Sequence, residues 1–233
     1  MGDGAVDNVW LDSMSWNLDF YGRGLQVNRW PFSEVVSNLT RIAALVDEKP
    51  PRVLEIGSGT GNNLRFVAES GWFGVGIDTS SVGLKIAKQF LGELSMPARL
   101  AVASFENLPF GDASFDIVFD RGALIHATDS GLDRAMSEIE RVLARGGFFL
   151  SLGLRSSRHP ASPDAARSTF GTSAGRPLSF LTRCRVADSV DCFADFRIRS
   201  RALFSDDALI DEEFEIIARK ETPLPVTVLK GWT

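Results

Sequence analysis

Apolar positions recur at three- and four-residue intervals over residues 33–46, where Val35, Val36, Leu39, Ile42, Ala43 and Val46 mark one face of a helix. Ser33 stands where an N-cap belongs, and Pro50-Pro51 closes the segment. The pattern then changes period. RVLEIG (52–57) is a short continuous apolar run, expected to be a buried strand, and Leu64, Val67 and Ala68 predict a helix over about 61–70. FGVGI (73–77) predicts a second strand, after which Ser80 or Ser81 opens a helix through Val82, Ile86, Phe90 and Leu91.

The same rhythm continues. ARLAVA (98–103) and SFDIVF (114–119) read as strands three and four, and FFLSLGL (148–154) as the fifth. Between the last two, Leu132, Ala135, Met136, Ile139, Val142 and Leu143 form an amphipathic helix that stops at Arg145-Gly146-Gly147. Strands alternating with such helices imply an α/β fold with a doubly wound, mainly parallel sheet. Residues 155–179, rich in Ser, Pro, Ala and Gly, break the alternation and are expected to be a long loop, either a lid or a disordered insertion. Thr182 is placed to cap a further helix, and strands near 195–204 and 212–219 are close enough to pair antiparallel at an edge. The expected organisation is an N-terminal arm (1–32), one domain (33–220) with a mobile insertion at 155–181, and a tail (221–233).

Composition narrows the class without choosing a function. The 233 residues are 44% hydrophobic and 24% charged, as in a globular protein, and the net charge of −5 argues against broad nucleic-acid binding. Cys184 and Cys192 fall on one predicted helix, roughly 12 Å apart at 1.5 Å per residue, beyond disulfide reach. Neither a zinc-ligand spacing, nor a secretory leader, nor a run long enough to span a membrane is present, so a cytoplasmic protein without a metal is expected.

The informative stretch is VLEIGSGTG (53–61), followed by GVGIDTS (74–80). In an open parallel sheet, ligands bind beyond the carboxyl ends of the strands where the strand order reverses. Gly57, Gly59 and Gly61 stand at such an end, and glycine lets backbone approach a ligand closely. The N–H groups opening the next helix suit a carboxylate, and Asp78, one strand over, suits two ribose hydroxyls. A dinucleotide fingerprint would want glycine at the sixth position of this motif, which is Asn62; glycine occurs instead at the fifth.

That spacing, with Glu55 before it, resembles the first motif of the class I S-adenosylmethionine-dependent methyltransferases, E/D-x-G-x-G-x-G, over about residues 50–154. ENLPFGDASFDIVFDRGALIH (106–126) is similar to that family's run into its fourth strand, and EIERVLARGGFFL (138–150) to its turn before the fifth. The resemblance implies a three-layer, Rossmann-like, seven-stranded sheet with the last strand antiparallel. It also implies S-adenosylmethionine as cofactor and S-adenosylhomocysteine as product. By the same resemblance Glu55, Gly57, Ser58, Gly59, Gly61, Asn62, Asp78 and Thr79 hold the cofactor, with Ser104 and Phe105 at its adenine. Ser104 departs from the family, which often has an acid there; a serine hydroxyl accepts the same bond without charge assistance. DFYGRGLQVNRWPFSEVV (19–36) is similar to a leader in some bacterial methyltransferases of polysaccharide and natural-product pathways, which places Tyr21 and Arg29 at the cofactor's methionine end.

On the acceptor side, Asp120, Arg121 and His126 follow the fourth strand. His126 is either a general base or a packing residue of a short helix; Asp120 and Arg121 either orient substrate or cofactor, or pair with each other and the arm. The Asn/Asp-Pro-Pro-Tyr/Phe signature of DNA-adenine and glutamine methylators is missing. Residues 155–185 carry Arg155, Arg158, Arg167, Arg176, Arg183, Arg185 and His159 against Asp164, either a solvated loop or a lid that attracts an anionic acceptor. The leading expectation is methyl transfer to an oxygen or nitrogen of a small molecule, with no membrane partner, nucleic acid disfavoured and oligomeric state open. The alternatives are an RNA or protein methyltransferase, a catalytically silent cofactor-binding subunit, and an NAD enzyme.

Overall fold

The computed structural model describes residues 16–25, 27–47, 50–96, 99–165, 168–173, 176–206 and 208–224. The first helix after the arm, α1 (Ser33–Ala43), carries the expected face, with Val35, Leu39, Ile42 and Ala43 buried. Its N-cap is Phe32 rather than Ser33, whose hydroxyl bonds to the neighbouring Glu34 carboxylate at 3.3 Å. Then come β1 (Arg52–Ile56), α2 (Asn62–Glu69), β2 (Phe73–Asp78), α3 (Ser81–Glu93) and β3 (Leu100–Val102). Ser80 caps α3 as its position suggests, accepting from the Gly83 N–H at 3.0 Å. β4 (Phe115–Arg121) leads through a 3-10 turn (Leu124–His126) into α4 (Asp129–Val142), and β5 (Leu143–Ser156) follows at once.

The chain lays β2 and then β3 to one side of β1, and returns to place β4 and β5 on the other side, all parallel. The carboxyl ends of β1 and β4 therefore form the switch point where such sheets bind ligands. α5 (Arg183–Ser189) precedes the closing hairpin β8 (Asp195–Ser205) and β9 (Ala208–Arg219). β9 runs antiparallel between β5 and β8, which leaves β8 at the edge. Seven strands thus give the mainly parallel sheet with an antiparallel final strand. Thr182 caps α5 as expected, accepting from the Arg185 N–H at 3.2 Å.

The irregular insertion expected over 155–181 is largely ordered secondary structure, which raises the sheet to nine strands. β5 continues to Ser156, and β6 (Thr169–Ser173) pairs antiparallel with β7 (Arg176–Leu181). β7 joins the sheet through Arg155↔Phe180 and Ser156↔Leu181, just beyond the end of β4. Short-range polar bonds stabilise the hairpin: the Thr182 N–H donates to Ser168 Oγ at 2.9 Å, Ser157 Oγ to the Ala165 carbonyl at 2.9 Å, and Ser179 Oγ to the Ala127 carbonyl.

Two apolar layers sandwich the sheet. Val35, Leu39 and Ile42 of α1 and Val67 of α2 pack on Val53, Ile117, Phe119, Phe148 and Leu150. On the opposite face, Leu132, Met136 and Ile139 of α4, with Val186 of α5 and the following Val190, pack on Leu54, Ile56, Val118 and Phe149. Cys184 lies on α5 and Cys192 beyond its end, so they share no helix; both are free and exposed. Among the described residues no helix is long and apolar enough to cross a membrane.

Candidate functional site at the carboxyl ends of β1 and β4

The turn after β1 has a backbone that only glycine adopts without strain: φ is +67° at Gly57, +50° at Gly59 and +82° at Gly61. Space is short as well. A Cβ would stand 2.3 Å from Ala123 Cβ at Gly57, 2.7 Å from Tyr21 Oη at Gly59 and 3.0 Å from Ala87 Cβ at Gly61. Asp78, at the end of β2, fastens this turn: its Oδ2 accepts from the Gly59 N–H at 2.9 Å and its Oδ1 from the Ser80 N–H at 2.8 Å. Thr79, half-buried, continues the same turn. Ser58 turns the other way, its buried hydroxyl facing the β2 backbone at Gly76.

The arm is strapped onto this turn. Asn17 Oδ1 accepts from Ser80 Oγ at 2.7 Å and from the Val82 N–H at 3.1 Å, at the start of α3. Tyr21 is buried against Gly59 and Gly83 and stacks on Trp16, whose ring meets His126 edge-on at 5.1 Å between centroids. Asn62 is spent on the arm, donating to the Trp30 carbonyl at 3.1 Å. Arg29 does not reach the turn; it pairs with Glu93 at 3.5 Å and lies over the Phe90 ring on the outer side of α3. Trp10 and the rest of 1–15 lie outside the described residues.

Two acids are buried at the carboxyl ends of β1 and β4, on opposite faces of the sheet. Glu55 is buried; Asn63 Nδ2 donates to its Oε1 at 2.8 Å, while Oε2 has no hydrogen-bond partner among the described residues. Burial, with the nearby Asp78 and Asp120 carboxylates, pushes its pKa up to about 8. Asp120, also buried, uses Oδ2 to accept from the Ala123 and Leu124 N–H groups at 2.9 and 3.1 Å, and burial raises its pKa too. Ser151, its register neighbour on β5, is near enough to favour the ionised form, yet neither Ser151 Oγ nor Asp120 Oδ1 completes a hydrogen bond. Asn63 was not a sequence candidate. Its one signal is an amide in the first buried turn of a helix that starts at the third glycine.

Strand alternation separates Asp120 from Arg121. Arg121 points to the α1 face, pairing with Glu34 at 3.2 Å and lying over the Phe32 ring. His126 is half-buried at the end of the 3-10 turn that Asp120 pins. After β3, Ser104 and Phe105 are half-buried; Ser104 Oγ accepts from the Glu106 N–H at 3.2 Å. Three arginines of the basic insertion meet acids from other elements. Arg155 pairs with Asp211 and Glu213, Arg158 with Glu212, and Arg185 with Asp129 and Asp133. Arg183 donates to the Ile198 carbonyl at 2.6 Å, and Arg167 lies outside the described residues. A cavity of about 310 Å³ between Leu64, Trp72, Phe73 and Arg99 lies at the amino ends of β1 and β2, away from all of this chemistry.

A glycine turn and a carboxylate at the end of the neighbouring strand together suit a nucleoside. The strand order and the glycine turn are those of the fold that class I S-adenosylmethionine-dependent methyltransferases share. A family model described as a methyltransferase domain matches residues 53–147.

An uncharacterized methyltransferase of Synechocystis is 35% identical over 103 residues, 44% of this chain and 47% of that protein. The 24-methylenesterol C-methyltransferase 2 of Oryza sativa is 32% identical over 149 residues, 61% of this chain and 40% of its own. The chain thus spans less than half the length of these curated relatives. Among solved structures, 1,6-didemethyltoxoflavin-N1-methyltransferase of Burkholderia thailandensis, with 1,6-didemethyltoxoflavin and S-adenosylhomocysteine bound, superposes with TM-score 0.64. It shares 18% identity over 95% of this chain and 93% of that one, a likeness of fold.

Proposed function

We propose that this chain is a methyltransferase that uses S-adenosylmethionine and methylates an oxygen or nitrogen of a small molecule. The observation that carries the reading is the lock between the left-handed Gly59 and Asp78, a bare backbone turn held by the carboxylate expected at a ribose. Gly57, Gly59, Gly61 and Asp78 would hold the nucleoside, Ser104 and Phe105 its base, and Glu55 and Asp120 its positive charge. When bound, S-adenosylmethionine supplies a methyl group already activated by a sulfonium. The chain's remaining work is alignment, exclusion of water and removal of one proton from the acceptor.

For that proton, His126 is proposed as general base, an imidazole being suited to transfer near neutral pH. Asp120 positions it by fixing the Ala123–Leu124 backbone. Trp16, against His126, closes one side. Arg155, Arg158 and Arg185 lend no support to an anionic acceptor, because acids match them. The named relatives act on a sterol carbon and on a ring nitrogen, so membership in the family leaves the acceptor atom open.

Calorimetry of the full chain should show S-adenosylmethionine binding and no NAD binding; the reverse, or silence with both, overturns the cofactor reading. Transfer of labelled methyl into pools of phenols, sugars, amines or sterols then tests the acceptor, and label in sterol carbon alone overturns the oxygen-or-nitrogen assignment. A His126→Ala variant should lose the acidic limb of the rate–pH profile; an unchanged profile removes His126 from the chemistry.

A further inference from the structure

We propose that the cavity at the amino ends of β1 and β2 is a second ligand site, shaped for a small carboxylate with a flat apolar body. It lies at the far end of β2 from the glycine turn. Phe73 opens that strand and Asp78 closes it, about 16 Å apart at roughly 3.3 Å per residue. Its occupancy does not depend on the S-adenosylmethionine reading.

Two helices and the start of a strand supply the walls. Leu64 of α2 and Leu91 of α3 belong to one small apolar cluster, and both are buried. Trp72 and Phe73, where the chain passes from α2 into β2, complete the apolar lining. Phe73 is 40% exposed, so this lining reaches the surface. Small residues keep the space open: Ala68 and Gly71 line it, and a Cβ at Gly71 would meet nothing within 4 Å. The volume, about 310 Å³, falls at the lower end of the range for small-molecule sites, roughly 300–1,000 Å³.

The polar end of the cavity is Arg99. Among the described residues that line it, Arg99 is the one charged group. Its guanidinium lies over the Phe73 ring, 4.1 Å from the centroid, which keeps the cation against the cavity. Among the described residues its side chain makes no ion pair, whereas Arg155, Arg158 and Arg185 all meet acids. The donor fork of Arg99 is therefore open to a carboxylate, for which its planar geometry is suited. Trp72, Phe73 and the two leucines bury an aryl body behind that carboxylate. A neutral amide of the same shape forgoes charge assistance, and an ammonium meets like charge.

The test is calorimetry of the full chain with 3-phenylpropionate, 3-phenylpropionamide and 3-phenylpropylamine, which share a body and differ in charge. The carboxylate should bind at millimolar concentration or below, the amide about tenfold more weakly and the amine not at all. Arg99→Gln should weaken the carboxylate about tenfold and leave the amide unchanged. Ala68→Leu adds bulk inside the cavity at a helical position that leucine tolerates, and should abolish binding of the carboxylate. Saturating S-adenosylhomocysteine should not displace it. Absence of carboxylate binding, by calorimetry and by saturation-transfer NMR, overturns the proposal. Equal affinity for carboxylate and amide, or no effect of Arg99→Gln, overturns the role of Arg99. Unchanged binding in Ala68→Leu, or displacement by S-adenosylhomocysteine, overturns the placement. Arg99 is exposed, so Arg99→Gln keeps the test decisive even if Ala68→Leu does not fold.

Discussion

Replacing Gly59 by alanine separates two effects that the glycine turn combines. With φ at +50°, any L-residue incurs roughly 1–2 kcal/mol of backbone strain. The added methyl also stands 2.7 Å from Tyr21 Oη, closer than real Cβ contacts, so the tyrosine must lift or the turn must shift. Tyr21 is 9% exposed, and freeing a buried aromatic side chain forfeits about 1.5–3 kcal/mol. Gly59→Ala should therefore lose about 2.5–5 kcal/mol in urea unfolding, rather more than half of it from the arm. Gly71 provides the reference: its φ is +72° with nothing within 4 Å of a new Cβ, so Gly71→Ala should show the backbone cost alone. Adding Tyr21→Phe to Gly59→Ala removes the oxygen in the way and should recover part of the difference, read as a double-mutant cycle. Gly59→Ala costing no more than Gly71→Ala, or no coupling to Tyr21, would refute the placement of the arm on the glycine turn.

Asp78→Asn should weaken S-adenosylhomocysteine binding by roughly 10- to 100-fold, a loss of about 1.5–3 kcal/mol for hydrogen bonds to a charged group, and calorimetry reads it directly. Ligand-free stability should depend on pH through Glu55: its raised folded-state pKa makes the contribution full below about 4.5 and gone once pH passes about 8. Glu55→Gln should therefore flatten the decline between pH 5 and 8, whose slope is at most about 1.4 kcal/mol per unit; parallel wild-type and variant curves would deny the burial. Asn63→Ala removes the donor to Glu55 and the acceptor of the Phe32 N–H, and should cost roughly 2–4 kcal/mol while exposing residues 16–32 to limited proteolysis.

Legibility tracked the range of the interactions involved. β1, β2 and β4 are continuous apolar runs because both faces of each are covered, and their order follows from the alternation with helices. Ser80 and Thr182 advertise helix starts because the bond each makes spans three residues. Ser33 misled because capping depends on backbone angles, and Phe32 already holds the extended conformation with ψ at 135°. The β6–β7 hairpin was hidden by its polar composition, and it meets the sheet through two residues of β5 and one bond to Ala127. The arginines looked like a basic lid because the acids that match Arg155 arrive about fifty-six residues later, on β9.

The same distinction explains why the cofactor side is readable and the acceptor side is not. The glycine turn restricts the sequence itself: positive φ and sub-3 Å clearances at Gly57 and Gly59 admit almost no other residue. The motif is therefore visible as letters. The walls around His126 are instead assembled from the arm through Trp16, the β4 turn pinned by Asp120, and the hairpin tied at Ser179. Each is a side-chain contact between distant segments, and many residue types could fill it. Contacts of this kind can change from one chain to another without disturbing the glycine turn, so a fold can keep its motif while the residues around it vary.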